Sequence, residues 1–219
     1  MTARYSNILF DLDGTVTDPK EGITKSILHA LDKLNICEPN MDSLTRFIGP
    51  PLKVSFREYY NLGDEEIERA IAYYREYFSV RGLFENKVYP GIADMLSFLQ
   101  MNECTLFVAT SKPTVYAKQI LSHFGVDRFF SQIEGSGLDG TLSDKSDLIE
   151  HMIRTYGLSP RRTVMIGDRK HDIVGARNNQ LDSIAVTWGY GSRTELIAAG
   201  ATWYVDSVEE LQKTLMDET

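Results

Sequence analysis

Residues 7–18 read NILFDLDGTVTD, a short apolar run followed by three carboxylates, Asp11, Asp13 and Asp18. A strand that stops at Asp11 delivers its carboxylate to the carboxyl edge of a sheet, the edge at which open α/β sheets bind ligands. Gly14 lets the backbone turn there. Asp11 and Asp13 converge only if that edge bends, and two close carboxylates disfavour joint ionisation. A divalent cation relieves the repulsion, and Mg²⁺ takes oxygen ligands while keeping several waters. Asp18, before PKEGI, reads as a turn or cap residue rather than a ligand.

Three more groups belong to the same chemistry. The run VATSKP offers the hydroxyls of Thr110 and Ser111, and a helix over 113–124 opens at Pro113, a favoured first position. Free N–H groups at such a start can hold phosphate. The run IGDRKHD supplies Asp168 and Asp172, with His171 read as a solvated neighbour, and SDKSDLI supplies Lys145. Carboxylates, hydroxyls and one fixed cation suit phosphoryl transfer, where catalysis is mostly positioning and charge stabilisation. A second string, LDGTLSD at 138–144, echoes the first. It follows IEGSG, and Gly137 stands where Asp11 stood, so it reads as a connecting loop that carries Lys145, with Asp139 a loop residue.

The elements that must position these groups alternate. Apolar runs at 104–110, 129–135, 163–168, 183–188 and 202–205 read as strands, with helical stretches at 113–124, 145–157, 170–179, 193–200 and 207–217. The pattern predicts an α/β fold with a mainly parallel sheet, and LFVA and VMI are the continuous apolar runs of strands buried on both faces. Residues 17–85 break the rhythm. Ile23, Ile27, Leu31 and Leu34 share a helical face, as do Ile67, Ala70, Ile71, Tyr74 and Phe78. Asp64 is the expected N-cap of the second of these helices, and further helical pieces are expected near 41–47 and 51–60. An all-helical insert of 17–85 therefore interrupts a core made of 1–16 and 86–219, with VYPG at 88–91 as the return hinge. Its aromatics, Phe47, Phe56, Tyr59, Tyr60, Tyr73, Tyr74, Tyr77 and Phe78, form a helical core or stack a nucleobase. Arg46, Lys53 and Arg57 around FIGPPL meet a second anionic group of a substrate or are surface charge.

Among 219 residues, 42% are hydrophobic and 25% charged, as in ordinary globular proteins. A net charge of −8 argues against a general nucleic-acid binder. No apolar run approaches the roughly 20 residues that span a bilayer. MTARYSN has no apolar h-region, so a cytoplasmic protein is expected. Cys37 and Cys104, the only cysteines, form no disulfide framework or metal spacing.

The chain resembles haloacid-dehalogenase-superfamily phosphatases with a helical cap after the first strand, most closely the phosphoglycolate-phosphatase-like branch. DLDGTVTD (11–18), Thr110 of VATSKP, Lys145 and GDRKHD (167–172) match its four signatures in order. The resemblance implies a Rossmann-like sheet of order 3-2-1-4-5. It implies Asp11 as the nucleophile of an aspartyl-phosphate and Asp13 as general acid, then base. Asp11, the backbone carbonyl of Asp13 and Asp168 would hold Mg²⁺, and Asp172 would orient the site. Thr110, Ser111 and Lys145 would hold the phosphoryl group, while Arg46 and Lys53 stay open between the rest of the substrate and surface charge. The expected partner is a small phosphorylated metabolite: phosphoglycolate, a nucleoside 5′-monophosphate, pyrophosphate or a sugar phosphate. A monomer or weak homodimer is expected, with neither nucleic acid nor membrane as partner. A phosphomutase and a non-catalytic binding module are the alternatives.

Overall fold

The structure is a computed structural model and describes residues 2–217. Its chain divides into two compact units: one takes in the residues up to Asp18 and resumes at Val88, the other is Pro19–Lys87. The change-over falls two residues later than expected on each side, after 18 rather than 16 and after 87 rather than 85. Residues 17 and 18 stay with the core because they are bonded into it. Thr17 O accepts from Gly14 N at 2.7 Å, and Asp18 accepts from the Tyr190 hydroxyl.

The core unit is a six-stranded sheet. Its strands are β1 (Asn7–Phe10), β2 (Thr105–Pro113), β3 (Gln132–Ser136), β4 (Thr163–Gly167), β5 (Asp182–Val186) and β6 (Trp203–Val205). All its pairings are parallel, in the spatial order β3-β2-β1-β4-β5-β6, so the expected 3-2-1-4-5 is extended by the WYV strand. β1 lies between β2 and β4, and Ile8, Leu9 and Phe10 are fully buried. That explains the unbroken apolar run: a strand covered on both faces has no polar side to show. Leu9, Phe107, Ala109 and Met165 pack with Leu148, Ile149 and Met152 of the helix Lys145–Tyr156. Ala185 of β5 packs with Ile173, Leu196 and Ala199. Burying each of the leucine, isoleucine, phenylalanine and methionine side chains here is worth about 1.5–3 kcal/mol.

The helical unit contains Lys20–Lys33, Leu52–Tyr60 and Asp64–Tyr77, a 3₁₀ segment at Met41–Phe47 and a π turn at Phe78–Gly82. Ile23, Ile27, Leu31, Ile67, Ala70, Tyr74 and Phe78 are buried, as their shared helical faces predict, whereas Leu34 and Ile71 of the same faces are only half-buried. Phe47 packs edge-on against Phe56 and Tyr59, and Tyr74 stacks on Phe78. Four of the eight aromatics, Phe47, Phe56, Tyr74 and Phe78, are thus core residues. The cap expected at Asp64 is supplied by Gly63, whose N–H donates to Glu66 Oε2 at 2.9 Å. Asp64 is the first helical residue, and its carboxylate accepts from Arg57. Among the described residues no helix is long and apolar enough to cross a membrane.

Candidate active site

The site lies at the carboxyl ends of β1, β2 and β4, which are neighbours in the sheet. Asp11 N donates to Ile166 O at 2.9 Å, which carries the sheet's hydrogen bonding one residue past β1 and fixes the Asp11 backbone. The chain then turns at Gly14, with φ +86°. A Cβ there would lie 2.2 Å from Asp168 Oδ2, so only glycine brings the turn this close to the end of β4.

Lys145 organises one side. Asp144 caps its helix, accepting from Ser146 N at 2.7 Å and Asp147 N at 3.3 Å, so Lys145 leads the first turn. Its ammonium lies 2.8 Å from Asp11 Oδ1, 2.8 Å from Asp172 Oδ1 and 2.7 Å from Ala109 O. Three donors meet three acceptors, which satisfies a buried ammonium in full. Burial works against its charge, yet Asp11 and Asp172 hold it above the ordinary lysine range. Lys112 occupies the other side, 2.7 Å from Asp13 Oδ2, with both side chains almost wholly buried. The two aspartates of one motif therefore answer to two different lysines.

Asp11, Asp168 and Asp172 each offer a carboxylate oxygen within 4.8 Å of the others, and all three are buried. Asp168 is also fixed from the loop after β5: Tyr190 N donates to its Oδ2 at 2.7 Å, and Thr15 Oγ1 reaches its Oδ1 at 3.5 Å. Burial raises the Asp168 pKa well above the usual range, and the charges of Asp11 and Asp172 add to this. Burial also pushes Asp172 up to about 6, against the opposing pull of Lys145, and raises Asp13 against the pull of Lys112. Four carboxylates facing two lysines are short of positive charge. Clustered, buried, all-oxygen donors with that deficit fit a hard divalent cation.

Asp172 thus stands in the acidic cluster itself as well as against Lys145, where it was expected to orient the site. The Asp13 carboxylate turns to Lys112 instead. Thr110 is buried in β2 at the last pair before its register shifts, its Oγ1 accepting from Lys112 N at 3.2 Å. Ser111 is half-buried, and its carbonyl accepts from Ser136 Oγ. His171, expected in solvent, is half-buried and its pKa is lowered by burial. Arg46 and Lys53 belong to the helical unit and have different neighbours. The Arg46 guanidinium lies 4.2 Å over the Tyr59 ring, whereas Lys53 is exposed and 3.6 Å from Asp64. Sequence reasoning missed Lys112, Thr15 and the loop that carries Tyr190. The missed signal was positional: WGYG follows a strand next to β4, and Lys112 stands two residues beyond Thr110.

Residues 8–186 match the haloacid dehalogenase-like hydrolase family. A 5′-nucleotidase of Pseudomonas aeruginosa is 47% identical over 97% of this chain and 96% of its own length. The tyrosine-protein kinase PtkA of Mycobacterium tuberculosis is 38% identical over 95% of this chain and 72% of its own. The crystal structure of a predicted phosphatase from Clostridium acetobutylicum superposes with a TM-score of 0.94 at 51% identity, covering 96% of this chain and 97% of that one. With the strand order, the acidic cluster and a family match across most of its length, this chain belongs to the haloacid dehalogenase-like hydrolases.

Proposed function

We propose that this chain is a phosphatase that hydrolyses small phosphate monoesters through an aspartyl-phosphate on Asp11. The observation that carries the reading is the division of labour at the site: Asp11 is held by Lys145, Asp13 by Lys112. An Asp11 oxygen attacks phosphorus as the bond to the leaving oxygen breaks, and Asp13 gives that oxygen its proton. Water then attacks the phosphoryl group, Asp13 takes the water's proton, and the bond to Asp11 breaks to release phosphate. Thr110, Ser111 and Lys145 hold the phosphoryl oxygens. Asp11, Asp168 and the backbone carbonyl of Asp13 would hold Mg²⁺, with Asp172 completing the acidic wall. The ion would supply the missing positive charge beside the phosphoryl group. To the helical unit we assign the choice of substrate, with Arg46 and Lys53 as the cations to test for it.

A nucleoside 5′-monophosphate is the first substrate to test, because the 5′-nucleotidase relative aligns over nearly the whole chain. The test is a phosphate-release screen across nucleotides, phosphoglycolate, pyrophosphate and sugar phosphates, with Mg²⁺ and with excess chelator. Release from at least one monoester, abolished by chelator and restored by Mg²⁺, is expected. Full activity in chelator would remove the metal from the scheme. Phosphate that reappears on a sugar or on a protein tyrosine rather than in solution would replace hydrolysis with transfer.

A further inference from the structure

We propose that Lys112 is a positioning residue that presents Asp13 to the leaving group, an assignment that rests on the phosphatase reading above. Lys112 Nζ holds one oxygen of Asp13, Oδ2, at 2.7 Å, and the two side chains are only 5% and 10% exposed. The other oxygen, Oδ1, is buried and has no hydrogen-bond partner. A carboxyl with one oxygen tied and the other unengaged has a fixed rotamer and one face open for a proton.

The backbone gives a second, independent reason. β2 and β3 pair in regular register up to Thr110 with Gly135, and the next pair is Pro113 with Ser136. Ser111 and Lys112 are therefore extra residues in β2, a bulge opposite a single step of β3. Bulges beside active sites re-aim a side chain. Thr110 Oγ1 accepts from Lys112 N at 3.2 Å and steadies the distortion. Gly135 makes room for it, since a Cβ there would lie 2.2 Å from the Lys112 carbonyl oxygen. A buried ion pair is weak support for stability, because desolvation offsets its attraction. A pair kept at such a bulge is explained better by geometry than by stability.

The proposal separates two substrate types. An alkyl ester needs a proton on its leaving oxygen, whereas 4-nitrophenyl phosphate expels a stable phenolate without one. The kcat/KM values for a nucleoside 5′-monophosphate and for 4-nitrophenyl phosphate cover the steps through leaving-group departure, before the hydrolysis that both share. For Lys112→Met we expect a loss of roughly 10–100-fold on the nucleotide and less than about threefold on the aryl ester. Lys112→Arg should recover most of the difference. Asp13→Asn should show the same selectivity, and adding Lys112→Met to it should cost little more, because the two act as one unit. Equal losses on both esters would make Lys112 a phosphate-binding or structural group and overturn the assignment. If Lys112→Met does not fold, Lys112→Gln takes its place with the same expectation and the same overturning result. If the nucleotide is not hydrolysed, the alkyl monoester that the screen above finds takes its place, and a wild-type enzyme that releases phosphate from no monoester of that screen overturns the phosphatase reading and this assignment together. An active wild type with unselective losses overturns the assignment alone.

Discussion

Gly14 and Gly140 hold φ angles of +86° and +90°, so the LDGTVTD of 12–18 and the LDGTLSD of 138–144 both place their glycine in the left-handed region. Their surroundings differ at every side chain. Leu12 is fully buried, while Leu138 is 48% exposed. Asp13 is buried against Lys112, while exposed Asp139 accepts from Thr141 N at 3.0 Å and Thr141 Oγ1 at 2.8 Å, closing a small loop on itself. Thr15 reaches Asp168; its counterpart Thr141 reaches only back to Asp139. Asp-Gly encodes a turn in both places, and burial beside the right neighbours turns one copy into chemistry.

The sharpest way to break this comparison is at the residue before each string. Asp11 has no counterpart, since Gly137 stands in its place. Asp11→Asn is nearly isosteric but cannot serve as this nucleophile, so turnover should fall by at least about 10⁴-fold with a normal melting curve. Phosphate release near the wild-type rate would place the nucleophile elsewhere.

Next comes the Asp pair. Asp13→Asn should lose about 10²–10⁴-fold in turnover, the range of a positioned general acid–base, and Asp139→Asn less than about tenfold. Equal, large losses in kcat on one substrate would mean that the second string also carries chemistry.

How far the strings could be told apart from sequence depends on what each residue needs around it. ILF before Asp11 and IEGSG before Leu138 separate a buried strand end from a loop, because an apolar run has to be covered and a glycine-rich one does not. The strand order was not legible in that way and came only with the family resemblance, whereas Asp11, Asp168 and Lys145 could be named because their positions at element ends are local facts. Their partners are not local. That Asp13 turns to Lys112, 99 positions away, or that Asp172 joins Asp11 and Asp168, depends on a bulge in β2 and on the first turn of the helix Lys170–Asn178. The cap at Gly63 was hidden for a related reason. Asp64 has the better capping side chain, but Glu66 three residues past Gly63 reaches back to the Gly63 N–H.

The glycines themselves test whether the turns are equivalent. Each holds a left-handed φ, so alanine costs about 1–2 kcal/mol in strain at either site. At Gly140 nothing lies within 4 Å of the added carbon, and strain is the whole effect. At Gly14 the carbon also meets the Asp168 carboxylate at 2.2 Å, and overpacking adds roughly 1–3 kcal/mol. Denaturant unfolding of both alanine variants should place Gly14→Ala clearly below Gly140→Ala. Equal stabilities would show that the first turn is not pressed against Asp168.

The smallest expected difference concerns the last residue of each string. Asp18 accepts from the Tyr190 hydroxyl, whereas Asp144 is an N-cap whose carboxylate takes the N–H groups of Ser146 and Asp147. Losing an N-cap side chain costs about 1 kcal/mol, and Ser restores most of it. Here the cap also has a functional neighbour, because Lys145 is the first residue of the helix it begins. Fraying of that turn lets the ammonium drift from Asp11 and Asp172, though burial of Lys145 and its three acceptors oppose the drift. Asp144→Ala should therefore lower stability by about 1 kcal/mol and kcat by only a few-fold, with Asp144→Ser close to wild type in both. Urea unfolding and steady-state rates on the same three proteins decide it. A loss of kcat as large as that of Asp13→Asn, with Ser failing to rescue, would mean that the Asp144 carboxylate acts in the site directly and that the second string is more than the loop that delivers Lys145.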